Sequence, residues 1–115
     1  MAEIRKFETG ATRDTDDGKF DYAGFLSPLV LKRFAEFMHK HRVQPDGSLR
    51  SSRNWQKGIP RDVYMSSGFR HFMSWWTNHE GFKADEDLEE SLCALIFNTS
   101  GYLFEVLKKK NESMQ

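Results

Sequence analysis

Two carboxylates three residues apart, Asp87 and Glu90, have the types and spacing best suited to chemistry in this chain. On an α-helix such a pair shares a face and can share a hard cation. Mg2+ fits that role, because it takes carboxylate oxygens and keeps waters and substrate phosphates as its other ligands; Mn2+ is the alternative ion. At helical spacing Asp87, Glu90, Ala94, Asn98, Gly101 and Glu105 project within an arc of about 80°. Asn98 extends the site along that polar stripe. The competing reading makes the stripe the solvent-facing edge of an amphipathic helix, its acids complementing the helix dipole.

A second group lies in Arg50-Ser51-Ser52-Arg53-Asn54-Trp55-Gln56-Lys57-Gly58. Arg53 and Lys57 suit phosphate oxygens, Asn54 can read a base edge, and Trp55 offers a stacking face. The same composition also fits a surface loop whose Trp55 plugs a core. His71, inside Phe69-Arg70-His71-Phe72, reads as a ligand or acid-base group, or as a hydrogen-bonded packing residue beside an aromatic face. Arg70 projects to the opposite side, toward a phosphate or solvent. Cys93 reads as a core thiol. The chain has no Walker-type glycine loop, no His-Glu-x-x-His and no Gly-x-Ser-x-Gly, which removes several enzyme classes.

Three helices are expected to position these groups. Ser27-Pro28 starts the first, over about 27–42, with an N-cap residue followed by a proline in the first helical position. Its core arc holds Val30, Leu31, Phe34, Phe37, Met38 and His41, and Glu36 lies on the charged side. Pro60 starts the second, over 61–79, which ends where Gly81 can take a left-handed cap. Met65, Phe69, Phe72, Met73, Trp75 and Trp76 make it the expected centre of the fold. Asp85 caps the third, over 85–110, with acids in its first turn and Lys108, Lys109 and Lys110 in its last, as the helix dipole favours. Its wide apolar side holds Leu88, Leu92, Leu95, Ile96, Leu103, Val106 and Leu107, and Asn98 to Gly101 could bend it.

No segment alternates over a strand length. The expected fold class is therefore all-α, with three main helices completed as a helical-bundle homo-oligomer. Residues 1–24 read as an extended N-terminal arm, and 25–115 as one helical domain. Ten Phe, three Trp and three Tyr among 115 residues predict an aromatic core. Seventeen cations balance seventeen acids, so no net field favours nucleic acid or an anionic membrane. One cysteine excludes an internal disulfide framework and suits a reducing compartment. Nothing reads as a signal peptide or a membrane span, which gives a soluble, cytoplasmic protein.

The order Gly18-Lys19, Asn54-Trp55-Gln56-Lys57-Gly58, Arg70-His71 with Trp75-Trp76, then Asp87-Leu88-Glu89-Glu90 leading into Cys93-Ala94-Leu95-Ile96-Phe97-Asn98 resembles the phage and bacterial dATP/dGTP diphosphohydrolase N-terminal-domain family. The likeness spans about residues 11–107. That family is similar to the MazG-like all-α pyrophosphohydrolases, which use Mg2+ held by helix carboxylates to cleave a nucleoside triphosphate into monophosphate and pyrophosphate. The resemblance implies Glu36, Asp87 and Glu90 as metal ligands and Glu36, Glu90 and His71 as catalytic residues. It implies Lys19, Arg53, Asn54, Trp55, Lys57, Arg70, His71 and Asn98 as contacts to a (deoxy)purine nucleotide. The first helix departs from the usual Glu-x-x-Glu pair, offering Glu36-x-x-His39. Beside the enzyme therefore stands a second expectation, a non-catalytic protein of phage origin that sequesters a nucleotide or cyclic nucleotide. A helical interaction subunit without a ligand is the third.

Overall fold

The computed structural model describes residues 3–114 and is mostly helical, with one small two-stranded sheet. Met1, Ala2 and Gln115, the ends of the expected arm and domain, lie outside the described residues. Strands β1 (Ile4–Lys6) and β2 (Thr12–Asp14) form an antiparallel hairpin with Ile4 opposite Asp14 and Lys6 opposite Thr12. A one-turn helix α1 (Tyr22–Phe25) follows, then α2 (Pro28–Lys40), a 3-10 turn over Asn54–Lys57, α3 (Arg61–His79) and α4 (Leu88–Glu112). The hairpin corrects the expectation of an all-α chain. Three residues per strand are too few to show alternation, so the arm carried no strand signal.

Pro28 occupies the first turn of α2, and Ser27 stands at the N-cap position without a side-chain cap bond. The α3 boundaries follow the proline and glycine as expected. Gly81 takes φ 87°, its N–H donates to Asn78 O, and Phe82 N–H donates to Thr77 O, the paired bonds of a Schellman ending. The third expected helix begins later than its acids suggested. Asp87, and not Asp85, is its N-cap, with Oδ2 accepting from the backbone of Glu89 and Glu90. The helix then runs unbroken through Asn98–Gly101.

Packing buries part of the expected polar stripe of α4 and leaves part of its expected apolar side exposed. Its buried line is Ser91, Ala94, Asn98 and Gly101 with Cys93, whereas Leu88, Leu103, Val106 and Leu107 remain exposed. Small side chains at a 3-4-3 spacing let neighbouring helices approach closely. Tyr64 of α3 lies directly on Gly101, leaving no room there for a Cβ, and Gly68 faces Asn98. From α2, Phe37 is buried against Cys93 and Ala94, with Phe34, Met38 and Phe97 around it. Burying one such Phe contributes about 2–3 kcal/mol. Arg33 and Lys40 strap α2 to the first turn of α4, with Arg33 Nε 2.7 Å from Glu89 Oε1 and Lys40 Nζ 3.0 Å from Glu90 Oε1.

The rest of the aromatic surface is uncovered. Val30 and Leu31 of α2 and Met65, Phe69, Phe72, Met73, Trp75 and Trp76 of α3 are all exposed, so the aromatic face of α3 is not a core face. The radius of gyration is 19.7 Å, against roughly 13 Å for a compact domain of 100 residues.

Candidate functional site

A cleft of about 940 Å3 opens between the C-terminal half of α2, the segment that follows it, and the N-terminal half of α4. The segment between α2 and the 3-10 turn doubles back on itself. Val43 bridges Leu49, Arg50 N–H donates to Arg42 O, and Gly47 turns the chain at φ 85°. Asp46 Oδ1 accepts from both the backbone and the hydroxyl of Ser48, which holds its carboxyl below the usual range and the turn in shape. This places Arg42 and Arg50 side by side, with Arg42 Nε donating to Arg50 O at 2.9 Å. Lys40, His39 and His41 from the end of α2 border the same cleft. An anion entering there meets Lys40, Arg42 and Arg50, with Lys40 paired to Glu90 and the Glu86 and Glu90 carboxylates in the same lining.

Another part of the lining is neutral and aromatic. Asn54, Trp55, Ile59, Phe97 and Asn98 line it. Trp55 leans edge-on against Phe104, with ring centroids 4.8 Å apart. The turn around it is tied to α4 by Lys108 Nζ donating to Gln56 O and by Ile59 N–H donating to Glu105 Oε1. Asn98 is buried, and its amide donates to Ala94 O at 2.7 Å, so part of its donor capacity is already used inside the helix.

His71 and Glu86 meet at the floor. Nδ1 of His71 lies 2.6 Å from Glu86 Oε1, and the Ser91 hydroxyl donates to the same oxygen at 2.9 Å and to Asp87 O. When Nδ1 carries a proton it donates to the Glu86 carboxylate, and the ring borders the cleft. Glu86 orients that ring.

Of the site residues read from the sequence, the cleft gathers Asn54, Trp55, His71, Glu90 and Asn98. It does not gather the others. Lys19 is exposed in the arm, Glu36 is exposed on α2, Arg53 and Lys57 are exposed around the 3-10 turn, and Arg70 is exposed on α3. Lys40, Arg42, Arg50 and Glu86 are the additions. The pattern cation, turn, cation around Pro45-Asp46-Gly47 signals the two arginines, but nothing local marks Glu86, which lies in the connection between α3 and α4.

The three acids implied as Mg2+ ligands do not fit that ion as arranged. Asp87 is engaged in capping α4. Glu90 carries Lys40 at 3.0 Å and Arg33 at 3.7 Å, and its carboxyl is held below the usual range chiefly by the Lys40 hydrogen bond. Glu36 stands outside the cleft. Among the described residues no three His, Cys, Asp or Glu side chains converge on one point. Cys93 is buried, and burial pushes its thiol up, as befits a core residue. No helix among the described residues is long and apolar enough to cross a membrane. No family model, curated protein or solved structure matches the chain.

Proposed function

We propose that this protein binds a (deoxy)purine nucleoside triphosphate in the cleft beside α2 and α4. One observation carries the reading: Lys40, Arg42 and Arg50 share a single hollow with Trp55, Asn54 and His71. Its volume falls within the roughly 300–1,000 Å3 of small-molecule sites. The phosphates lie toward the cations, where charge-assisted hydrogen bonds are strongest, and the base lies toward Trp55 and Asn54.

Two fates of the bound nucleotide follow from different features. Retention without turnover, the sequestering role, is favoured by the engagement of Asp87 and Glu90 with their present partners. Pyrophosphohydrolysis to monophosphate and pyrophosphate is favoured by the His71–Glu86 pair, an oriented imidazole able to take a proton from an attacking water. The test is a panel of nucleoside triphosphates and cyclic nucleotides, with and without Mg2+, followed by calorimetry and by pyrophosphate release. Binding with the ligand recovered intact supports sequestration, and Mg2+-dependent release of pyrophosphate supports the hydrolase. Absence of binding across the panel overturns the nucleotide reading.

A further inference from the structure

Between Asp46 and Asp62 the chain carries Arg50, Arg53, Lys57 and Arg61 and no acid. All four are exposed, on the segment that leads through the 3-10 turn into α3. Lys108 of α4 joins them, its Nζ donating to Gln56 O and lying 6.0 Å from the centre of the Phe104 ring. Arg5, Arg33 and Lys40 are paired with carboxylates, whereas among the described residues these five cations make no ion pair.

The balance of charge over the whole chain does not quench this strip. Helix α4 has 25 residues, with Glu89 and Glu90 in its first turn and Lys109 and Lys110 in its last. At 1.5 Å per residue those turns stand roughly 35 Å apart, whereas screening in physiological salt acts over about 8 Å. The acidic end therefore cannot cancel the basic one. Of the nearer acids, Glu105 accepts from the Ile59 N–H, and Asp62 and Glu112 are exposed. The charge also stops at this strip: a second hollow of about 540 Å3, between α3 and α4, has Asn98 in its lining but no charged side chain.

Two half-buried rings stand among the cations. Trp55 has Arg53 and Lys57 two residues to either side, and the Arg61 guanidinium carbon lies 5.8 Å from the centre of the Tyr102 ring. Cations that track a phosphate backbone, interleaved with rings on which bases stack, hold single strands without reading their sequence. We infer that the strip from Arg50 to Arg61, with Lys108 beside it, binds a single strand of nucleic acid, its phosphates on the cations and a base on Trp55. A duplex keeps its bases stacked inside and offers Trp55 no face. An acidic protein would use the cations and leave the rings idle. Arg50 and Trp55 also line the cleft, but Arg53, Lys57, Arg61 and Lys108 do not. Variants of those four test the strip apart from the triphosphate reading.

The test is fluorescence anisotropy of a labelled oligothymidylate of about twelve nucleotides, titrated with the full chain in salt from about 50 to about 200 mM. Four or five neutralised phosphates, at about 0.7 each, make log affinity fall against log salt with a slope of about −3. The double variant Arg53→Gln/Lys57→Gln is expected to reduce that slope by about 1.4. Lys32→Gln, on α2, is expected to leave it unchanged. All three side chains are exposed, so the fold survives each change. An abasic strand of the same length is expected to bind about tenfold more weakly, through loss of stacking. Absence of binding at the lowest salt overturns the inference, as does a slope that the double variant leaves unchanged. So does equal binding of the abasic strand or of a polyglutamate peptide of the same length, the second in favour of an acidic protein.

Discussion

Nζ of Lys40 lies 3.0 Å from Oε1 of Glu90, so the last turn of α2 and the first turn of α4 are joined at the edge of the cleft. A phosphate that reaches Lys40 must compete with that carboxylate. Glu90→Gln removes the competitor's charge and is expected to tighten triphosphate binding about two- to fivefold, the equivalent of a partly exposed ion pair. Calorimetry reads the change. Weaker binding in this variant would show that Glu90 serves the ligand, directly or through a metal, and loss of Mg2+-dependent turnover with the fold retained would return it to the catalytic set.

Lys40→Ala and Arg50→Ala should each weaken triphosphate binding about tenfold or more, since a hydrogen bond to a charged group contributes roughly 1.5–3 kcal/mol. Both side chains are at the protein surface, so the unfolding midpoint should move little. Affinity unchanged in both variants would move the phosphates away from this rim.

Acid should loosen the α2–α4 strap. The Glu90 carboxyl sits below its ordinary value of 4.5, first through the Lys40 hydrogen bond and then through the charges of Lys40, Arg33 and His41. With a depressed folded-state value, the unfolded chain binds more protons in between, so this contribution is fully present above about pH 4.5 and is lost as pH falls through the folded value. Denaturant unfolding at a series of acid pH values should show that slope in the wild type and a shallower one in Glu90→Gln.

At the α3–α4 seam, Gly101→Ala should destabilise the fold by about 1–3 kcal/mol, because the added methyl meets the Tyr64 ring and overpacking outweighs the better helix propensity of alanine. Tyr64→Phe removes a buried hydroxyl that has no partner, and burial already pushes that hydroxyl's pKa up. It should therefore be neutral or stabilising by about 1 kcal/mol. Thermal unfolding distinguishes the two, and a large loss in Tyr64→Phe would reveal a partner for the hydroxyl.

Glu86→Ala should lower stability by about 1–2 kcal/mol, since His71 Nδ1 and the Ser91 hydroxyl both point at the lost carboxylate. If His71 acts on a substrate, turnover should fall further than stability does, and Glu86→Gln should recover the stability but not the turnover, because an amide holds the ring without its charge. Equal activity in Glu86→Gln and wild type would make Glu86 a structural group only.

Local signals in the chain were readable where punctuation residues set them. Pro60 and Gly81 delimit α3 as expected, and Pro28 opens α2. The sequence pattern points to Asp85 as the cap of α4, and the backbone path between α3 and α4 puts it at Asp87. Which face of α4 is buried was not readable, because small residues and large apolar residues are both periodic there. Gly101 and Ala94 are buried because Tyr64 and Phe37 come to them, a tertiary fact with no local mark. The candidate site divides in the same way. Asn54, Trp55 and His71 were legible as chemistry, while Glu86 gains its role only when the turn before α4 folds back onto α3.

Asn98 borders both hollows, the charged one and the apolar one. A single buried side chain is thus a shared wall between the two hollows, so a substitution at Asn98 alters both linings at once.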